Sequence, residues 1–444
     1  MAKLVEPSRF TVPFPIGHRP RRMAIGWKTT PTQYRALQAV LLCVCLAGGS
    51  VSVLSAQARV EATKEVKERA GPLSVDAIDV YRSLAAADAF VATEFLPGSD
   101  QDAARTAYKE AIATAASRLA HAGNLVDEQS LTAARLASIT SQLPVYSELV
   151  GQARALDGVA RRTALSDAST LMQSTILRRA EALQRGESRH LDDEYRRART
   201  FSGAALASCV LGLAALGGAQ VLVYRKTRRF INVGLAASFT LLVGALLWTT
   251  LASSISADHL DSAERHSGSL TDALGVARIA AFQARSNEML ALVVEDGGTT
   301  YDTNFWAKAQ LLHHSDRKGH GGALGAAHQL GTIESRRIHV NPAIEASQRW
   351  FDAHIEVEEL RKRGQIPQAI ASTVDGTTAG AGAAFADLDR ILAAAVADED
   401  TAFRRDIRRA GEALNGLVVG IGLLVVCAGA AAIWGIGQRL DEYR

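Results

Sequence analysis

The residues best suited to metal chemistry are histidines in the second half of the chain. Six of the eleven histidines lie from His313 to His354, and three of these fall in the stretch HHSDRKGHGG (313–322). Imidazole nitrogens are common zinc ligands, but no histidine pair four residues apart with a nearby acid stands out. The glycines of this stretch favour a connector. We therefore expect polar loop histidines and neither a metal nor a cofactor site.

Two arginines end similar heptapeptides, DAIDVYR at Arg82 and DALGVAR at Arg278. An inward-facing guanidinium at either position could bind the carboxylate of a small ligand through paired hydrogen bonds. The chain has no GxSxG, P-loop, HExxH or CxxC motif, so the signatures of several catalytic classes are missing. The sequence thus favours a protein that is not an enzyme.

A dense positive cluster interrupts the longest apolar part of the chain. The stretch VYRKTRRF (223–230) has four cations and no acid, namely Arg225, Lys226, Arg228 and Arg229. The cluster separates two of four apolar runs that contain no Asp, Glu, Lys, Arg or His, at residues 36–56, 201–224, 230–255 and 414–436. Each run reaches the ~20 residues that cross a membrane as a helix. The sequence predicts four transmembrane helices.

The bias of Lys and Arg near the ends of the spans predicts their orientation. The basic, Pro-rich tail 1–35, the loop 225–229 and the tail 437–444 should be cytoplasmic, which places segments 57–200 and 256–413 outside. We expect a multi-pass protein of the plasma membrane with both termini inside. The first run has an alternative, because SAQA (55–58) resembles the cleavage site of a signal peptide.

The external segments are expected to form two helical bundles. Apolar residues spaced three and four apart mark a packing seam, at Leu136, Ile139, Leu143, Tyr146 and Val150. Gly71–Pro72 should interrupt the helix that leaves the first span. The repeated order of span, external segment and span, together with the two heptapeptides, suggests an internal duplication. The fold class is therefore an all-α membrane protein with four spans and two extracytoplasmic bundles.

Composition narrows the function classes further. The net charge of +3 does not suggest nucleic-acid binding. A transporter would place ionisable groups within its spans, and these spans have none. Gly416 and Gly420 form a small-xxx-small pattern that predicts close packing of the fourth span. A membrane receptor with large external bundles fits best, although no cytoplasmic segment is long enough for an enzymatic domain.

Several stretches resemble the GlnX-type family of actinobacterial membrane signalling proteins. They are QLPVYSELVGQAR (142–154), ASTLMQSTIL (168–177) and RWFDAHIEVEELRKRGQIPQAI (349–370). The resemblance implies a link between an extracytoplasmic, GlnH-like solute-binding lipoprotein and a cytosolic PknG-like Ser/Thr kinase. In that family the relayed signal concerns aspartate and glutamate, and the kinase adjusts nitrogen and 2-oxoglutarate metabolism.

The basic loop could contact the kinase as well as membrane lipids, and a homodimer is compatible with the sequence. We expect the lipoprotein to dock at membrane-distal helix ends, in residues 95–102, 121–130 and 294–342. Two alternatives remain open: a chemoreceptor-like protein that senses a small ligand directly, and a structural protein of the cell envelope.

Overall fold

The computed structural model describes residues 30–199, 203–227, 233–294, 298–315, 321–374 and 380–441. These residues are helical apart from turns and one isolated bridge between His314 and Gly321. The chain is rich in alanine, which favours helix, and poor in proline, which breaks it. The all-α prediction is confirmed for the described residues.

The first half runs from the N-terminal apolar helix to the basic loop. Its helices are α1 (Thr30–Glu65), α2 (Gly71–Glu94), α3 (Gln101–Leu125), α4 (Leu131–Thr140), α5 (Leu143–Ala155), α6 (Gly158–Leu171), α7 (Leu177–Arg199) and α8 (Gly203–Thr227). Two π-helical turns, Val66–Ala70 and Met172–Ile176, join α1 to α2 and α6 to α7.

The second half has a similar order of long helices. They are α9 (Val233–Ser262), α10 (Ser269–Val293), α11 (Gly298–Leu312), α12 (Gly322–Leu330), α13 (Ile333–Ser335), α14 (Asn341–Lys362), α15 (Ile366–Val374), α16 (Ala381–Ala413) and α17 (Leu417–Asp441). π-helical turns join α9 to α10 at Ala263–Gly268 and α13 to α14 at Arg336–Val340.

The helix that leaves the first span passes through Pro72 without a break, so the expected interruption is wrong. Proline has no N–H for the carbonyl four residues back, and its ring crowds that carbonyl. One turn widens instead: Val66–Ala70 is π-helical, and the Gly71 N–H donates to the carbonyl of Val66. The widened turn accommodates the proline and leaves one helix from Ala36 to Glu94.

α2 and α10 pack against each other at the centre of the region outside the apolar runs. Nearly every side chain from Gly275 to Leu292 on α10 is buried, as expected for a helix without a polar face. One hydrophobic cluster joins both halves. The two predicted bundles therefore share a single core, because α2 and α10 are apolar enough to be enclosed by the remaining helices.

Segment 121–130 lies away from the distal ends, and so does the part of segment 294–342 near residues 323–330, which lines a cavity with Tyr195 and Gly268. α2 ends at Glu94, and α3 then returns toward the apolar runs. Arg69, close to the end of α1, donates to the carbonyl of Leu125 and to Asp127. Segment 121–130 is therefore proximal to the membrane-spanning region, and its assignment to the distal ends is wrong.

Among the described residues, three helices have the length and composition to cross a membrane: Ala36–Glu94, Val233–Ser262 and Ala381–Gly435. Only the apolar parts of the first and third can lie in a bilayer, since about 20 residues suffice. The predicted second span contains the shorter apolar helix Leu206–Leu222.

The glycine pattern predicted for the fourth span does not form one helical face. Gly416 has φ of +73° and precedes α17, so it makes the turn after α16. A β-carbon added at Gly420 would lie 2.5 Å from the Trp248 ring. Two membrane-spanning backbones approach closely elsewhere: an added β-carbon at Gly234 would lie 2.4 Å from Cα of Gly435. Small residues permit this contact between α9 and α17.

Candidate functional site

A buried carboxylate lies at the seam where the two halves meet. Asp88 on α2 accepts hydrogen bonds from Ser169 Oγ at 3.0 Å, Gln173 Nε2 at 3.0 Å and Ser286 Oγ of α10 at 2.6 Å. Burial raises the pKa of Asp88, while its three donors act in the opposite direction. Asp88 is therefore both a hydrogen-bonded link between the two halves and an ionisable group in the core.

Further polar contacts extend this seam along α10. Gln283 Nε2 donates to Tyr81 Oη at 3.1 Å, and Gln184 Nε2 donates to Asp272 Oδ1 at 2.8 Å. Burial raises the pKa of Tyr81 to about 12. Because buried polar groups are costly when a partner is lost, these bonds fix the register of α10 against its neighbours.

The second half has a buried ionic network centred on Glu288. Its carboxylate accepts from Arg285 Nη1 at 2.6 Å and from Trp350 Nε1 at 3.3 Å, and lies 2.9 Å from His354 Nδ1. Burial raises the pKa of Glu288, but Arg285 and His354 outweigh that effect and lower it overall. The His354 ring stacks on Phe305 with 3.4 Å between centroids. The network ties α10 to α14.

An equivalent connection closes the distal end of the first half. Glu94, the last residue of α2, binds Arg105 of α3 at 2.9 Å and Arg154 of α5 at 2.9 and 2.8 Å. Burial raises the pKa of Glu94, and the two guanidinium groups more than reverse this. Three helix ends are thereby held together at a surface that a partner could reach.

The helices converge again near the apolar runs, around Phe403 of α16. An added β-carbon would lie 3.9 Å from the Phe403 ring at Gly71 and 3.5 Å from it at Gly268. Both glycines border π-helical turns. Phe403 and Tyr195 belong to one buried cluster with residues of α7, α9 and both turns. A displacement of the external helices must therefore be transmitted through this buried cluster to reach the apolar helices.

The two arginines proposed as ligand contacts have carboxylate partners within the chain. Arg278 binds Asp389 of α16 through two bonds of 2.5 and 3.1 Å. Arg82 lies 3.4 Å from Asp79 on its own helix. Burial and the adjacent charge of Arg278 lower the pKa of Arg82. A ligand carboxylate at Arg278 would have to displace Asp389.

The basic loop is only partly covered by the structure. Arg225 and Lys226 are in the last turn of α8, whereas Arg228 and Arg229 lie outside the described residues. The proposed contact of this cluster with a cytosolic partner or lipid stays a prediction.

The histidines are not all loop residues, in contrast to the expectation. His354 is in the middle of α14 and only 2 % exposed, and His313 is also buried. In the described ranges no group of three or more His, Cys, Asp or Glu side chains is arranged to hold a metal ion.

The sequence reasoning missed the roles of Asp88 and Glu288. A signal was present, because each carboxylate interrupts a helix that has apolar residues on every side. Such a group is expected to have an internal partner. Arg285 is three positions from Glu288 and could have been paired with it from helix periodicity, whereas Trp350 and His354 are 62 and 66 positions away, beyond any local pattern.

The comparison with protein families gives a match over part of the first half of the chain. Residues 62–196 match the family described as the actinobacterial sensor domain, which is less than a third of the chain. No match was found among curated proteins or among solved structures. Together with the three long apolar helices, this similarity over α2–α7 supports an actinobacterial sensor protein of a membrane.

Proposed function

We propose that this chain is a non-enzymatic relay that carries an amino-acid signal across the membrane. The main support for this proposal is the unbroken helix from Ala36 to Glu94. It joins an apolar span to the far end of the matched sensor domain. A continuous helix moves largely as one body, so a displacement at its distal end reaches the bilayer.

In this proposal all four apolar segments span the membrane and both termini are cytoplasmic. The two halves descend from one duplicated unit. Their similar helix order supports this, as do the π-helical turns Val66–Ala70 and Ala263–Gly268 above the first and third spans. Tyr195 and Phe403 occupy corresponding places before the second and fourth spans, and both enter the same cluster.

The seam between α2 and α10 is the bistable element of the proposed mechanism. Docking of a partner at the distal ends would shift α2 against α10 by ~1–2 Å. The hydrogen bonds of Asp88 and the packing of Phe403 between the two glycines would differ between the states. The partner changes the population only if it binds one state more tightly than the other.

The external partner would be a GlnH-like lipoprotein that binds aspartate or glutamate. The internal partner would be a PknG-like Ser/Thr kinase that controls nitrogen and 2-oxoglutarate metabolism. The resemblance of the three stretches in the chain supports these partners. The basic cluster from Arg225 to Arg229 is the proposed kinase contact, beside its role in membrane orientation.

Co-purification from membranes tests the relay. The full chain is captured with the lipoprotein and the kinase, each with and without glutamate or aspartate. We expect amino-acid-dependent retention of at least one partner. Replacement of Arg225, Lys226, Arg228 and Arg229 by Gln should reduce retention of the kinase alone, and replacement of Arg161, Arg178, Arg185 and Arg189 is the matched control. Absence of both partners in every condition would refute the relay.

Direct sensing of a small ligand is the second candidate, and a cavity between the halves favours it. The cavity of about 380 Å³ is lined among others by Tyr195, Asp192, Glu264 and Asp272. Burial raises the pKa of Asp272, whose hydrogen-bond partners Gln184 and Ser188 are neutral. Glu264 is already paired with Arg199, so Asp192 and Asp272 are the carboxylates that a cationic ligand would meet in this cavity.

Thermal unfolding in the presence of spermidine or glutamate separates the two candidates. Stabilisation of the purified chain by spermidine that Asp272→Asn abolishes would favour direct sensing. Stabilisation by neither compound would leave the relay as the better account.

A further inference from the structure

We propose that a groove between α1 and α16, where the apolar parts of α1 and α17 end, binds the phosphate headgroup of an anionic phospholipid. The groove measures about 390 Å³, and its lining includes Thr63, Lys64, Lys67, Glu68, Arg408 and Glu412. Its position is the boundary at which lipid headgroups lie beside a transmembrane helix.

The charges of this groove are incompletely compensated within the chain. Lys64 lies 3.7 Å from Glu68. Neither Lys67 nor Arg408 has an ion-pair partner within the part of the chain that the structure describes, although both are exposed. Ammonium and guanidinium groups are the usual ligands of phosphate. Two cations from different helices thus remain available for one phosphate.

A buried hydroxyl provides a second and independent indication of a ligand. Thr63 is 2 % exposed, lines the groove, and its Oγ1 has no hydrogen-bond partner. Leaving a buried hydroxyl without a partner costs free energy. Thr63 Oγ1 is occluded in this side-chain conformation, and after a rotation about χ1 a phosphate oxygen seated in the groove would accept its bond.

The backbone beside the groove also favours a negative charge. Gly416 adopts φ of +73°, which a residue without a β-carbon tolerates, and α17 starts directly after it. The first N–H groups of a helix have no carbonyl one turn back, and they carry the positive end of the helix dipole. The Leu417 N–H already donates to the carbonyl of Leu414 at 3.1 Å, so it is the next N–H groups of this 25-residue helix that add to Lys67 and Arg408.

The remaining carboxylate, Glu412, indicates the kind of headgroup. A bare phosphate would be repelled by Glu412, whereas a headgroup with free hydroxyls can donate to it. Phosphatidylglycerol has both features, and its acyl chains would lie along the apolar surfaces of α1 and α17. A lipid is therefore a better ligand than free phosphate.

The test uses the full chain in nanodiscs of phosphatidylcholine with or without phosphatidylglycerol. Lipid retained after mild detergent extraction is measured by native mass spectrometry. We expect selective retention of phosphatidylglycerol and a reduction of at least about tenfold for Lys67→Gln/Arg408→Gln, which corresponds to one charge-assisted hydrogen bond. The control Lys109→Gln/Arg189→Gln changes charge equally on exposed parts of α3 and α7.

A second variant distinguishes loss of binding from loss of folding. Thr63→Val removes the unpartnered hydroxyl, so the melting temperature in pure phosphatidylcholine should stay equal or rise. The additional stabilisation by phosphatidylglycerol should become smaller. Equal retention of both lipids, or equal retention by the double variant and its control, would overturn the proposal. Displacement of the lipid by inorganic phosphate would also overturn it, because free phosphate would then be the ligand.

Discussion

Ser286 of α10 donates a 2.6 Å hydrogen bond to Asp88 of α2, although the two residues are 198 positions apart. Both side chains are buried, at 0 % and 3 % exposure. The bond connects the segment that matches the sensor domain to the half of the chain that the match does not cover. The two halves are therefore joined by a buried polar contact within one shared core.

The ionisation of Asp88 should make the stability of the protein depend on pH. Burial raises the pKa of Asp88, so the folded state binds more protons than the unfolded state above the usual Asp pKa of ~3.9. The free energy of unfolding then falls as pH rises through this window. Asp88→Asn cannot ionise, and its melting temperature relative to the wild type should be higher at about pH 8 than at about pH 5.

Asp157→Asn is the control for that comparison, since the Asp157 side chain is 92 % exposed. It should shift the melting temperature equally at both pH values. A pH-independent difference between Asp88→Asn and the wild type would contradict the assignment of a raised pKa.

Removal of Glu288 should be strongly destabilising. Glu288→Ala leaves the Arg285 charge buried without its carboxylate, a change that typically costs about 3–5 kcal/mol of folding free energy. Chemical denaturation in detergent measures this loss. Glu334→Ala breaks an exposed pair with Arg337 and should leave the denaturation midpoint unchanged. Equal effects of the two substitutions would show that the buried network does not hold α10 to α14.

The π-helical turn below Pro72 should tolerate no side chain at Gly71. A β-carbon there would lie 2.6 Å from the carbonyl oxygen of Val66, so Gly71→Ala should destabilise the protein by about 1–3 kcal/mol. At Gly123 of α3 an added β-carbon meets no atom within 4 Å, and alanine should stabilise by about 0.5–1 kcal/mol. Opposite signs in thermal unfolding are the expected result; stabilisation by both would exclude a constraint at Gly71.

The contact between α9 and α17 should depend on Gly234. A β-carbon at this position would lie 2.4 Å from Cα of Gly435 and 2.5 Å from the carbonyl oxygen of Ala431. Gly234→Ala should force the helices apart and lower the melting temperature in detergent by several degrees. Gly244→Ala on the same helix meets nothing within 4 Å and should change it little. An unchanged melting temperature for Gly234→Ala would mean that the two helices are not in close contact.

The helical class and the long apolar helices could be predicted from composition and run length. The packing seam from Leu136 to Val150 was also predictable, because buried residues recur every three or four positions in a helix, and all five of its members are buried. The sequence did not predict the π-helical turn before Pro72. A proline equally permits a kink or a widened turn, and packing decides between them.

By itself, then, the sequence determined which segments are helical and which are apolar enough for a bilayer, since both properties depend on neighbouring residues. Only the tertiary structure decided that the two halves share one core, that Arg278 is occupied by Asp389, and that Gly234 makes the close helix contact. These facts depend on pairs such as Asp88 and Ser286, far apart in the chain. No local pattern encodes such a pair, because its energy exists only after the helices have packed.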